Sequence, residues 1–129
     1  MNYAIILSGG IGSRLGANLP KQYLDINGKT ILSYCLETFE CHQNIDKIVI
    51  VAAKEYHSLV LSEVDKYSIK KFLCITEAGE SRQHSILSGL NAIKELAKDL
   101  TDKDIVLVHD GVRPNITKAV IDSCLDFDG

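Results

Sequence analysis

Four short apolar runs constrain the fold of this chain more than any other feature of its sequence. Each run is apolar almost throughout, instead of alternating between polar and apolar residues. Strands that are buried on both faces, as in a parallel sheet, have this composition, whereas strands with one face in solvent alternate. The sequence therefore predicts four buried parallel strands, at Tyr3–Leu7, Lys47–Ala52, Phe72–Thr76 and Ile105–His109.

Helical patterns separate and follow these runs. In Thr30–Phe39, apolar residues recur at the spacing that places them on one face of a helix. Because strands that alternate with helices form βαβ units, we expect an α/β sandwich with right-handed crossovers. The other predicted helices are Glu55–Tyr67, Ser81–Asp99 and Thr117–Leu125, the last with Thr117 as its N-cap after Pro114.

Composition and charge exclude several classes of protein. Of the 129 residues, 46% are hydrophobic and 24% are charged, which is typical of one globular domain. The 14 Lys and Arg residues against 17 Asp and Glu give a net charge of −3 and form no basic stripe for nucleic acid. The apolar runs are too short for a membrane span or a signal peptide. We therefore expect a cytoplasmic protein with no membrane or nucleic-acid partner.

The cysteines and histidines give no sign of a metal site or of a disulfide framework. No Cys-x-x-Cys pair occurs, and the four histidines lack the spacing of metal ligands. We expect the cysteines to be buried free thiols, as is usual in a reducing compartment. They are Cys35, Cys41, Cys74 and Cys124.

A glycine-rich loop, Ser8–Gly16, follows the first predicted strand. Glycines at the end of a strand let backbone N–H groups approach a phosphate closely, because no Cβ stands in the way. The loop is not a dinucleotide fingerprint, which would need glycine in place of Leu15. It is not a Walker A loop either, because Arg14 and Leu15 stand where Gly-Lys is required. A tight turn between strand and helix is the simpler alternative.

Two cations accompany this loop. Arg14 lies within it, and Lys21 follows Pro20, whose fixed backbone angle can hold the lysine on a rigid bend. Arginine offers a planar fork to two phosphate oxygens, and lysine offers a point charge that can stabilise a transition state. Each cation alone could be a solvated surface residue. Together with the glycine loop they indicate a triphosphate site.

Two further loops follow predicted strands. Ala78–Ser85 leads into the long helix, with Gly79 suited to a sharp turn and Ser81 to an N-cap. The carboxyl ends of strands are where ligands bind in open α/β sheets, although this segment by itself indicates only a strand, a turn and a helix.

The last predicted strand runs directly into polar residues. Asp110 could hold a metal ion or bond a hydroxyl near a triphosphate, and it could instead form a structural salt bridge with Arg113. For His109 we expect a structural role, with the side chain hydrogen-bonded to backbone so that it pins the loop.

These loops together resemble the cytidylyltransferases that act on 2-C-methyl-D-erythritol 4-phosphate, and their close relatives that act on ribitol 5-phosphate. The resemblance extends over essentially all 129 residues, and its most specific parts are the Pro-Lys-Gln and His-Asp-x-x-Arg-Pro motifs. The segments that carry it are Leu7–Arg14, Pro20–Leu24, Gly79–Leu90 and Val108–Pro114.

The resemblance implies a Rossmann-like nucleotidyltransferase sandwich, with a mostly parallel sheet and helices on both faces. It also implies CTP and a polyol phosphate as substrates, Mg²⁺ as the metal, and a homodimer for the full-length protein. By position, Arg14 and Lys21 match the catalytic residues, and Asp110 and Arg113 match residues at the metal and the acceptor. The nucleotide-binding matches are Ser8, Gly9, Gly10 and Gly12 for the CTP loop, and Gly79, Glu80 and Ser85 for the cytosine.

The resemblance leaves the acceptor between two polyol phosphates. Ser8-Gly9-Gly10 and Val112 are closer to the ribitol branch. Arg82-Gln83 with Ser85 and Gly89-Leu90 are closer to the methylerythritol branch, which we favour. Ala78 stands where a glycine is common, and His84 where an acidic residue is common. Further acceptor ligands and the dimer arm lie beyond the equivalent of Gly129 in the family. We therefore expect residues 1–129 to be a C-terminally truncated CTP-binding domain, and a CTP-binding fragment without turnover is the alternative.

Overall fold

The computed structural model of the chain describes residues 2–8, 25–26, 29–96 and 105–110. Strands and helices alternate along most of this length, as the apolar and helical patterns predict. In chain order the elements are β1 (Asn2–Ser8), β2 (Asp25–Ile26), β3 (Lys29–Thr30), α1 (Ile31–Cys41), β4 (Lys47–Ala52), α2 (His57–Lys66), β5 (Phe72–Glu77), α3 (Arg82–Leu96) and β6 (Ile105–Asp110).

The main sheet has the strand order β5–β4–β1–β6, and its three pairings are all parallel. All four predicted strands are confirmed in position, each to within one residue at either end. The predicted burial is confirmed for β1 and β4, whereas most residues of β5 and β6 are only partly buried, because among the described residues each of these strands pairs with one neighbour. The register aligns Ser8 with Ala52, Ala52 with Glu77, and Leu7 with Asp110. The carboxyl ends of the four strands therefore lie side by side at one edge of the sheet.

Helices cover both faces of this sheet, which confirms the predicted sandwich. On one face α1 and α2 pack against the strands, with Leu36, Phe39 and Val60 wholly buried. On the other face α3 contributes Ile93, which packs with Ile5 and other residues of β1 and β4. The near-continuous apolar composition of the strands follows from this arrangement, because both sides of each strand meet a helix layer.

α3 approaches the sheet closely at Gly89. A Cβ built on Gly89 would lie 3.0–3.2 Å from methyl carbons of Ile5 and Val51. Glycine in a helix interior costs about 1 kcal/mol relative to alanine. Close packing of the helix against β1 and β4 is the physical reason for accepting that cost here.

The helix boundaries differ in detail from the prediction. α1 begins at Ile31, one residue later than predicted because Thr30 is its N-cap, and it continues two residues beyond the predicted end, to Cys41. The predicted helix Glu55–Tyr67 is divided into a 3-10 turn, Lys54–Tyr56, and α2. The turn forms because Tyr56 N–H donates to the Ala53 carbonyl, three residues back, at 2.9 Å.

The prediction for the end of the long helix is only partly covered by the structure. α3 is described as far as Leu96, and residues 97–99 of the predicted Ser81–Asp99 lie outside the described residues. The predicted helix Thr117–Leu125 also lies outside them.

The sequence prediction missed the hairpin of β2 and β3. Two residues of each strand pair in antiparallel fashion, Asp25 with Thr30 and Ile26 with Lys29. Strands this short carry no apolar run that could reveal them. The Asn27-Gly28 dipeptide between them is a strong hairpin signal in a sequence and could have identified the turn.

Thr30 ends this hairpin and caps α1. Its side-chain hydroxyl accepts a hydrogen bond from Ser33 N–H at 3.1 Å, which satisfies one of the unpaired donors of the first helical turn. We expect Thr30→Ala to lower the free energy of unfolding by about 1 kcal/mol, measured by urea denaturation. Thr30→Ser keeps the hydroxyl and should stay close to the parent. Equal losses in both variants would contradict a capping role.

The described cysteines are free thiols, as predicted, and they differ in exposure. Cys35 is buried in the core, where loss of solvation raises its pKa to about 12, and the half-burial of Cys74 also raises its pKa. Cys41 is exposed, so the expectation that it is buried is wrong. Its exposure follows from its position as the last residue of α1. Cys124 lies outside the described residues.

Candidate functional site

The candidate site is the edge where the four parallel strands end. β1 ends at Ser8, β4 at Ala52, β5 at Glu77 and β6 at Asp110. Ligands bind in open α/β sheets at this carboxyl edge, in the crevice that the loops leaving the strands form. The structure therefore brings the start of the glycine loop and the backbone of Asp110 to the same edge as the loop that contains Gly79.

Ser8 is almost completely buried, with 1% of its surface exposed. It lies on the face of β1 that carries Ala4 and Ile6, toward the α1 and α2 layer, because alternate residues of a strand share a face. The other residues assigned to the triphosphate lie outside the described residues, as does Arg113. These triphosphate residues are Gly9, Gly10, Gly12, Arg14 and Lys21.

The loop after β5 is fixed at two successive backbone amides. Ala78 N–H donates to the Ala52 carbonyl at 3.0 Å, which extends the ladder between β4 and β5 by one residue. Gly79 N–H donates to the hydroxyl oxygen of Ser85 at 3.0 Å, and Ser85 is buried at 5% exposure. Two predicted base-reading residues, Gly79 and Ser85, are therefore in direct contact, and the adjacent Glu80 is exposed.

Gly79 has no room for a side chain. A Cβ at this position would lie 2.3 Å from the Cβ of His84 and 2.9 Å from its carbonyl carbon. Non-bonded carbon atoms do not approach so closely, so any larger residue must displace the loop or the first turn of α3. The sequence prediction of a sharp turn here rested on glycine's backbone freedom, whereas the structure requires glycine because of this packing contact.

Ser81 is the N-cap of α3, as predicted. Its hydroxyl oxygen accepts from His84 N–H at 3.2 Å and lies 3.0 Å from His84 Nδ1. Because the hydroxyl accepts from the amide and retains a proton, it can donate to Nδ1 of a neutral imidazole. His84 thus takes part in the cap at the third helical position.

The last strand ends with His109 and Asp110. The His109 ring packs against Phe39 of α1, with the ring centroids 5.7 Å apart and the planes inclined by 55°. This contact joins the end of β6 to the helix layer and supports a structural role for His109. The hydrogen bond to loop backbone that we expect for it stays a prediction.

His57 is a residue at this edge that the sequence interpretation passed over. Its Nε2 lies 2.8 Å from the carbonyl oxygen of Ala52, at the end of β4. A histidine at the start of a helix gives no pattern that distinguishes it from a surface residue. The contact arises only because the short connection after β4 turns α2 back toward the strand end.

Within residues 2–8, 25–26, 29–96 and 105–110, no three His, Cys, Asp or Glu side chains cluster as a metal site would require. Mg²⁺ commonly binds through one or two carboxylates together with substrate phosphates and water, so a site that includes Asp110 does not need such a cluster. In the same residues, none of the helices is long and apolar enough to span a membrane.

Comparison with known proteins gives matches to cytidylyltransferases over nearly the whole chain. Residues 2–128 match the family described as 2-C-methyl-D-erythritol 4-phosphate cytidylyltransferase. The protein of that name from Lachnospira eligens is 40% identical over 124 residues, which cover 96% of this chain and 52% of the relative. Ribitol-5-phosphate cytidylyltransferase from Streptococcus agalactiae serotype III is 36% identical over 124 residues, which cover 95% of this chain and 51% of that relative.

Solved structures show the same fold. A 4-diphosphocytidyl-2C-methyl-D-erythritol synthase from Anaerococcus prevotii superposes with a TM-score of 0.73 at 26% identity, covering 95% of this chain and 48% of its own. The 2-C-methyl-D-erythritol 4-phosphate cytidylyltransferase of Francisella tularensis superposes with a TM-score of 0.69 at 32% identity, and the match covers 94% of this chain and 49% of that structure. The chain thus spans about half the length of the relatives it matches.

Proposed function

Because the chain belongs to the 2-C-methyl-D-erythritol 4-phosphate cytidylyltransferase family, we propose that it binds CTP and transfers CMP to a polyol phosphate. The observation that carries this proposal is the strand register, which aligns the start of the glycine loop, the base of the Gly79 loop and the backbone of Asp110 at one edge. A nucleotide that lies across this edge can meet all three segments at once.

The proposed reaction is a single displacement. A phosphate oxygen of the acceptor attacks the α-phosphorus of CTP, and the bond from that phosphorus to the oxygen bridging the β-phosphate breaks. Pyrophosphate leaves with the electron pair. No covalent enzyme intermediate is required, so the protein's contribution is positioning and charge stabilisation. Arg14 and Lys21 supply positive charge, and the backbone of Ser8, Gly9, Gly10 and Gly12 holds the triphosphate.

Selection of cytosine is assigned to Gly79, Glu80 and Ser85. The bond from Gly79 N–H to Ser85 Oγ fixes the first of these residues against α3, so the adjacent backbone groups are presented in one geometry. A site whose hydrogen-bonding groups are already positioned discriminates strongly against bases with a different donor and acceptor pattern. We therefore expect CTP to raise the melting temperature and UTP and GTP to raise it much less.

Asp110 is our candidate for a Mg²⁺ ligand; the support is its backbone pairing with Leu7, next to the start of the glycine loop. Bound Mg²⁺ would neutralise charge on the phosphates. Arg113 is assigned to the acceptor phosphate, because a guanidinium can hold two of its oxygens.

Asp110→Asn removes the negative charge and keeps the size of the side chain. We expect half-maximal activity to require at least about tenfold more Mg²⁺ in this variant, because a carboxylate is the ligand that a hard cation prefers. The measurement is a Mg²⁺ titration of pyrophosphate release. An unchanged titration would remove Asp110 from the metal site.

For the acceptor we propose 2-C-methyl-D-erythritol 4-phosphate, and ribitol 5-phosphate is the second candidate because relatives of that name are 36% identical. We propose a homodimer for the full-length protein. We also propose a cytoplasmic location, since the free cysteines suit a reducing compartment.

The test is pyrophosphate release with CTP and Mg²⁺, with the two acceptors in parallel. Turnover with one acceptor would establish both the reaction and the substrate. A melting temperature raised by CTP, together with no turnover, would support the second candidate function, a CTP-binding module. No response to CTP would overturn both.

A further inference from the structure

The carbonyl oxygen of Ala52 receives two hydrogen bonds from different parts of the chain. Ala78 N–H donates to it at 3.0 Å, and Nε2 of His57 lies 2.8 Å away. A carbonyl has two lone pairs and no proton, so it accepts both bonds and Nε2 must be the donor. The neutral Nε2–H tautomer and the imidazolium both satisfy this requirement.

The Ala52 carbonyl, which accepts both hydrogen bonds, links α2 to the loop after β5. Ala52 is completely buried at the end of β4, and Ala78 is the first residue beyond β5. The next amide, Gly79 N–H, is held by Ser85. The Ala78 amide is thus bonded to β4 and the Gly79 amide to α3. His57 also bonds the Ala52 carbonyl, which is the acceptor for the Ala78 amide.

We propose that His57 is a positioning residue for nucleotide binding. By orienting the Ala52 carbonyl it keeps Ala78 and Gly79 in the geometry in which Gly79, Glu80 and Ser85 would meet the cytosine. The inference rests on the proposed function, since it presumes that this loop contacts the base. A role limited to folding would instead make the residue matter for stability and not specifically for the nucleotide.

Two amide substitutions separate these roles. The glutamine amide nitrogen can reach the position of His57 Nε2, whereas the asparagine amide is too short to reach the carbonyl. We expect His57→Asn to weaken CTP binding about fivefold, measured by calorimetry on the 129-residue chain, and His57→Gln to stay within about twofold of the parent. Hydrogen exchange at the Ala78 amide, without nucleotide, should be faster by a similar factor in His57→Asn alone.

A control at the opposite edge of the sheet tests for general destabilisation. Glu40 accepts from Lys71 N–H at 2.9 Å, so Glu40→Ala should lower the melting temperature and leave CTP affinity unchanged. If the parent binds CTP and His57→Asn binds equally well, or if both His57 variants lose affinity alike, the positioning role is overturned. An unchanged exchange rate at Ala78 in His57→Asn would overturn it too. If the parent itself does not bind CTP, the proposed function fails and this role fails with it.

Discussion

Lys21→Ala is expected to reduce turnover about 100-fold or more, with a much smaller effect on CTP binding. The reason is that charge develops on the phosphates as the bond to pyrophosphate breaks, and a positioned ammonium stabilises the transition state more than the ground state. The measurement is pyrophosphate release at saturating CTP, with CTP affinity determined separately. A loss of kcat with little change in affinity is the signature of a group that acts in the transition state.

Lys66→Ala is the matched control for this prediction. Lys66 is exposed at the end of α2, where its ammonium lies 5.3 Å from the centre of the Tyr67 ring. Its removal changes the net charge by the same amount and should leave turnover near that of the parent. Near-normal turnover in Lys21→Ala would exclude the catalytic role. Equal losses in both variants would point to a general effect of charge.

Gly79→Ala is expected to weaken CTP binding about tenfold or more. The added methyl would lie 2.3 Å from the Cβ of His84 and 2.9 Å from its carbonyl carbon, so backbone must move. Overpacking of this kind typically costs 1–3 kcal/mol of folding stability when the backbone stays in place. The variant loop avoids this cost by moving, and CTP must restore the parent geometry in order to bind, so each 1.4 kcal/mol of that cost lowers the affinity tenfold. The displaced loop also strains the bond from Gly79 N–H to Ser85. Calorimetric titration with CTP measures the effect directly.

Gly89→Ala provides the comparison, because it is the same substitution within the same strand–loop–helix unit. There the added methyl would lie 3.0–3.2 Å from side-chain methyls of the buried Ile5 and Val51, so its effect falls on the packing of α3 against the sheet and not on the Gly79 loop. We expect CTP affinity to stay at the parent value in this variant. If Gly79→Ala binds CTP as tightly as Gly89→Ala does, the loop is not where the base is held.

The strands could be predicted because their composition reflects their burial. Val49 and Val51 face α3, and Ile48 and Ile50 face α1 and α2, so a strand between two helix layers must be apolar at every position. No comparable constraint acts on the residues of β2 and β3, and the interpretation missed them. The division of the second helix was also missed, because a 3-10 turn and an α-helix have similar apolar spacing over a few residues.

Some features of the candidate site could be predicted from the sequence, and others could not. The order of the loops and their place after strands could be deduced from glycines and charges, and the N-cap at Ser81 is confirmed by its bond to His84 N–H. The contacts of Gly79 and His57 could not be deduced. Each depends on how closely two elements approach, and a sequence pattern does not contain that distance.

What the sequence by itself determined is therefore the positions of the four main strands, the helix layers and the family, since each leaves a local pattern of apolar or loop residues. What only the tertiary structure decided is the strand order β5–β4–β1–β6 and the contacts made across it. The Ala52 carbonyl joins His57 to Ala78, and Gly89 packs on Ile5, although 84 positions separate these last two in the chain. Such contacts depend on the relative placement of whole elements, which no single segment encodes.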